Sequence, residues 1–133
     1  PVPQYTHEVS VGAQGDFLFN PRLVEAGVGD IVRFHFLMLN HTLTQSSLNK
    51  PCTPSNLFDT GFIHSNPQNA TNNTLLFLVQ NTDPQWFLCK QTKPISHCHA
   101  GMVFAINPRD NFARFLEYAR QSTTTPLPSV ATR

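Results

Sequence analysis

Charge is scarce in this chain. Only 13% of its 133 residues are Asp, Glu, Lys or Arg, about half the usual share. Nine basic against eight acidic residues leave a net charge of +1, too balanced for a nucleic-acid binder that works by neutralising phosphates. No apolar run approaches the roughly 18 residues of a membrane-crossing helix, and no internal repeat is present. There is no initiator Met: the chain opens Pro1-Val2-Pro3, as a processed product would. What is present is apolar. Hydrophobic residues make up 40% and include eleven Phe, which argues for a packed core and against disorder. The length suits one domain.

Cysteines number three. In a secreted protein an odd count implies one disulfide and one thiol left for another purpose. Secretion is suggested by three acceptor sequons, Asn40-His41-Thr42, Asn69-Ala70-Thr71 and Asn72-Asn73-Thr74. The low Lys content and a Thr/Pro-rich tail agree with it.

Short apolar stretches separated by turn residues fill the first 107 positions. Thr6–Val11 alternates, Asp16–Phe19 is short, and Gly27-Val28-Gly29-Asp30 reads as a turn. Ile31–Leu39 alternates clearly, with Val32, Phe34, Phe36 and Met38 expected on the inward face. Thr74–Val79 is almost continuously apolar and suits a central strand, and Gln85–Cys89 and Met102–Ile106 are two more. This spacing indicates an all-β sandwich or barrel, with a long irregular stretch over Ser46–Asn73. One helix is expected near the end, started by Pro108-Arg109-Asp110-Asn111, with Phe112, Phe115, Leu116 and Ala119 on one face. Residues 1–121 thus form one domain, and residues 122–133 a Ser/Thr/Pro-rich tail suited to a stalk at the cell surface.

The segment Trp86–Asn107 concentrates the chemistry. A strand ends on Cys89, a loop carries His97, and the next strand begins at Met102. A thiolate, an imidazole and a thioether on one loop form a soft donor set that favours copper over hard cations. His41, just beyond the Phe-rich strand, is the candidate second imidazole. A structural zinc site would want four strong ligands at short spacings. Taken singly, each residue has a plainer explanation: a buried Cys is commonly an inert hydrophobe, and a Met opening a strand is commonly core. His7, His35 and His64 read as ordinary surface or core residues.

Leu39–Ser47, Pro51-Cys52-Thr53-Pro54, Phe58-Asp59-Thr60-Gly61-Phe62 and Trp86–Asn107 together resemble the extracellular cupredoxin-like proteins of fungi, and more distantly phytocyanins and plastocyanin. The resemblance covers roughly residues 5–107. It implies a Greek-key β-sandwich with one type 1 copper ion, cycling between Cu(I) and Cu(II), at one end. His41, Cys89 and His97 are then equatorial ligands, Met102 is axial, and Cys52 pairs with Cys98. The family usually has about four residues between the ligand Cys and His; here seven separate Cys89 from His97, so the extra ones around Lys93-Pro94-Ile95 must bulge outwards. His99 is expected beside the ligands or at the surface, with the alternative that it ligates in place of His97, and Asn40 as a hydrogen-bonding tie between the two ligand-bearing segments. The Asn40 sequon is expected to be bare, which leaves Asn69 and Asn72 as glycosylation candidates.

The function this implies is extracellular electron transfer by a secreted monomer, to a redox protein or small redox mediator, without catalytic turnover. The alternative is a copper-binding or storage protein, or a cell-surface interaction module, that does not use redox. A copper oxygenase of the N-terminal-histidine kind does not fit a chain that starts with Pro1.

Overall fold

The computed structural model describes residues 4–121; the expected tail over 122–133 lies outside them. Eight strands and one helix follow one another: β1 (Thr6–Val11), β2 (Phe19–Asn20), β3 (Leu23–Val24), β4 (Ile31–Phe36), β5 (Thr44–Gln45), β6 (Thr74–Leu78), β7 (Gln85–Leu88), β8 (Val103–Ile106) and α1 (Phe112–Gln121). They form two four-stranded sheets, in the orders β2-β1-β4-β6 and β3-β8-β7-β5. The expected all-β sandwich with one C-terminal helix is what the chain adopts.

Period-two alternation on β4 turns Val32, Phe34 and Phe36 inward. From the opposite sheet Phe87, Phe104 and Ile106 meet them, with Val9, Val11 and Phe19 completing the layer between the sheets. Phe34 and Phe19 both pack their rings against Phe104. A second apolar cluster lies on the outer face of the β3-β8-β7-β5 sheet. There Leu88, Val103 and Cys98 are covered by Phe115 and Ala119 of α1, with Trp86 and Leu116 alongside. That cover explains why all four residues of β8 are buried.

The structure departs from expectation at several points. Thr74–Val79 is not a central strand: β6 lies at the open edge of its sheet, pairs only with β4, and leaves Leu76 58% and Leu78 53% exposed. The Ile31–Leu39 strand stops at Phe36, so Met38 falls outside the ladder and is exposed rather than inward. The short strand expected over Asp16–Phe19 instead occupies Phe19–Asn20. β3 and β5, two residues each, are too short to show a period.

Candidate metal centre

Three connections bring the site together. His41 lies in the loop between β4 and β5, Cys89 directly follows β7, and His97 lies in the loop before β8. Their donor atoms all fall within 4.8 Å of one another, and all three residues are buried. Cys89 Sγ is 3.6 Å from His41 Nδ1 and 3.7 Å from His97 Nδ1. Bonds of about 2.0 Å to nitrogen and about 2.3 Å to sulfur, opened to a tetrahedral or trigonal angle, separate N from S by about 3.5 to 3.7 Å. The trio therefore fits a first-row metal ion, and one thiolate with two imidazoles is a set that copper accepts.

Burial sets the protonation states. It pushes the Cys89 thiol up, against the opposing backbone N–H groups of Gln91 and Thr42. It also drives His41 down to about 4, with His97 adding to the effect and the Met38 carbonyl opposing it. His97 is lowered by burial too, opposed by the Lys93 carbonyl. Neutral imidazoles are ready to ligate, whereas the thiol must release its proton as an ion binds.

The neighbours fix the donors. His97 Nε2 donates to the Lys93 carbonyl at 3.0 Å, which turns Nδ1 towards Cys89, the usual arrangement behind a metal-bound imidazole. The expected outward bulge is present, with Lys93, Pro94 and Ile95 exposed. It is ordered by Gln91, whose side-chain oxygen accepts from the Thr92 and Lys93 amides while its carbonyl accepts from the His97 amide. The extra residues thus supply the carbonyl that holds the ligand ring. Phe17 stacks on that ring with centroids 3.9 Å apart. Cys52 and Cys98 form a disulfide that ties the residue after His97 to the long irregular segment.

Met102 is fully buried in the same cluster as Cys89. Its amide donates to the His97 carbonyl and its carbonyl accepts from the Cys89 amide, so both ends of the loop share its backbone. His99 is half-buried, its amide bonded to Ser96 Oγ, outside the trio. His7, His35 and His64 pair with Asp30, Glu8 and Asn73, away from the site.

Asn40 does reach the other ligand-bearing segment, through its main-chain carbonyl, which accepts from Gln91 Nε2 at 3.5 Å. The tie is made mainly by Thr42, whose amide donates to Cys89 Sγ at 3.4 Å and whose hydroxyl accepts from the Lys90 amide at 2.9 Å. Gly12 was also missed. A Cβ there would stand 2.3 Å from His41 Nε2, and its φ of +75° lies in the left-handed region that favours glycine. The Gly12-Ala13-Gln14-Gly15 run carries turn chemistry, but nothing local shows that it backs a histidine 29 positions away.

A two-sheet sandwich holding a buried His-Cys-His trio at one end defines a cupredoxin-like protein. The chain is 36% identical over 104 residues to the "Probable GPI-anchored cupredoxin-1" of the fungus Arthroderma benhamiae, covering 77% of this chain and 51% of the relative. It is 30% identical over 125 residues to the "Extracellular serine-rich protein" of the same species, covering 86% of this chain and 45% of the relative. The chain spans about half the length of the curated relatives it matches. Among solved structures, the purple cupredoxin of Nitrosopumilus maritimus matches with a TM-score of 0.51 at 15% identity, over 75% of this chain and 96% of that one; this likeness shows the fold. No family model matches the chain. The resemblance to fungal cupredoxin-like proteins read from the sequence is borne out.

Proposed function

We propose that this protein is a secreted carrier of single electrons that holds one copper ion through His41, Cys89 and His97, with Met102 as the fourth donor. The observation that carries the reading is the convergence of one thiol and two neutral imidazoles in a dry, hydrogen-bonded pocket. Copper, when bound, supplies a one-electron couple between Cu(I) and Cu(II).

The chain's part is to keep the donors still and water away. Thr42, Lys93 and Gly12 fix the three donor side chains, while Phe17 and the inter-sheet Phe residues exclude solvent. Such fixed surroundings limit rearrangement when charge changes. With Met102 in the fourth position no place remains for a substrate, so the protein carries electrons without catalysing a reaction.

The partner is an extracellular redox protein or small mediator. A depression of about 230 Å³, lined by Phe17, Leu39, Pro94 and His97 among others, gives it an apolar seat directly against a ligand ring. Extracellular placement is supported by the disulfide, the sequons and the names of the two fungal relatives. The protein is accordingly read as a glycosylated monomer, free or tethered at the cell surface.

The test is absorption spectroscopy and cyclic voltammetry of the copper-loaded protein. An intense visible thiolate-to-copper band, absent from Cys89→Ser, and a reversible one-electron wave are expected. A bound ion that cannot be cycled would leave the storage or interaction reading in its place.

A further inference from the structure

β6 is an edge strand without the protection such strands usually carry. Its sequence, Thr-Leu-Leu-Phe-Leu, contains no charge and no Pro, and an exposed apolar edge is a template for pairing with another chain. Leu75 and Phe77 pack into the core, while Leu76 and Leu78 face solvent. The alternation continues upstream of the strand: Asn72, Thr74, Leu76 and Leu78 are all exposed, with Asn73 and Leu75 turned in between. The Phe36 amide still donates to the Asn73 carbonyl, so the pairing with β4 runs one residue past the strand, and Asn72 keeps step with the two exposed leucines.

We infer that Asn72 is the N-glycosylated position and that its glycan lies along this face and shields the open edge of β6; the inference rests on the secretory reading above. The three sequons differ in what surrounds them. At Asn40 the sequon threonine, Thr42, is fully buried and hydrogen-bonded to Thr44 and Lys90, and the intervening residue is the buried His41. At Asn69 the backbone is left-handed, and Asn66 clamps Ala70 through both its amide and its carbonyl. Asn72 is not among the left-handed residues, both Asn72 and Thr74 are exposed, and neither side chain hydrogen-bonds to another described residue.

In the transfer, Asn72 Nδ2 bonds to C1 of an oligosaccharide and gives up one proton to water. The bond from C1 to a lipid pyrophosphate donor breaks, the lipid pyrophosphate leaves, and nothing is oxidised or reduced. Leu76 lies four residues on, about 13 Å along an extended strand, within reach of a branched oligosaccharide. A bulky hydrated group there blocks strand addition.

The experiment is to secrete the full chain from a eukaryotic host and trim its glycans to one residual sugar for peptide mass spectrometry. Size-exclusion chromatography then compares intact protein, enzymatically deglycosylated protein, and a deglycosylated Leu76→Thr/Leu78→Thr variant. The expected results are a tag on Asn72, loss of the monomer peak on deglycosylation, and its return in the double variant. A bare Asn72 with a tag on Asn40 or Asn69 overturns the inference and leaves secretion standing. A deglycosylated protein that stays monomeric overturns the shielding. A chain that is not exported and carries no sugar defeats the secretory reading itself.

Discussion

β6 and β8 are similar as strings, Thr-Leu-Leu-Phe-Leu against Val-Phe-Ala-Ile, yet they end in opposite surroundings. β8 has strands on both sides and layers on both faces: Phe104 and Ile106 enter the inter-sheet core, and Val103 faces the cluster under α1. β6 has one neighbour and one covered face. The difference lies in what folds back over each strand. α1 and the Cys52–Cys98 disulfide both belong to the β8 side, and that side also supplies Cys89, His97 and Met102. The candidate metal site therefore hangs mainly on the doubly covered sheet, while the other sheet keeps an open flank.

The largest expected effect breaks the covered side. Phe104 is fully buried against Phe19, Phe34 and Phe87, so Phe104→Ala should cost close to 5 kcal/mol through lost transfer energy and the cavity left behind. Denaturant unfolding measures it; a loss below about 1 kcal/mol would mean that β8 is not the centre of the core.

How much of this was legible in the sequence follows the same division. β4 announces itself because its alternation is a local consequence of one face being wet and one dry. β8 and β6 both read as buried because a continuous apolar run does not say which faces will be covered; α1 covers one and nothing among the described residues covers the other. Cys89 and His97 were readable together since they share one loop, and His41 followed from its place after the Phe-rich strand. Thr42, Lys93 and Gly12 were not, because Lys93 acts through its carbonyl, Thr42 through its amide as well as its hydroxyl, and Gly12 through the absence of a side chain. Residue type reveals none of that until the chain has folded.

The second prediction tests where the open sheet touches the site. Gly12 follows β1, and a methyl group there meets the His41 ring. Gly12→Ala should lose about 1 to 3 kcal/mol from the left-handed backbone alone. It should also weaken copper binding, because the His41 ring must move. Titration with a copper chelator and unfolding of the metal-free protein separate the two effects. Unchanged copper affinity would show that the His41 ring has room to spare.

A third, smaller effect concerns the start of the open sheet. Asp30 is held down to about 2, first by its hydrogen bond with His7 and then by the Gly27 and Tyr5 amides. A carboxylate with a depressed pKa contributes stability that is present above its unfolded value of 3.8 and is lost as pH falls through about 2. Melting temperature should therefore fall in the wild type between about pH 4 and pH 2, as this contribution disappears. Asp30→Asn should start lower at neutral pH and fall less over that window. Parallel curves for the two proteins would remove Asp30 from the acid response.

The smallest effect is the counterpart of the first. Leu76 points to solvent from an unpaired edge, so Leu76→Thr removes little buried area and substitutes a residue that extended strands favour. Its stability should stay within about 0.5 kcal/mol of wild type, and the copper band should not move. The same unfolding assay used for Phe104→Ala decides it. A loss of 2 kcal/mol or more in a monomeric sample would mean that Leu76 is covered in solution by part of the chain itself. A loss that grows with protein concentration would instead mean that a second copy covers it. A near-neutral result leaves the contrast intact: β8 is covered on both faces, whereas β6 packs through Leu75 and Phe77 and leaves Leu76 on an uncovered face.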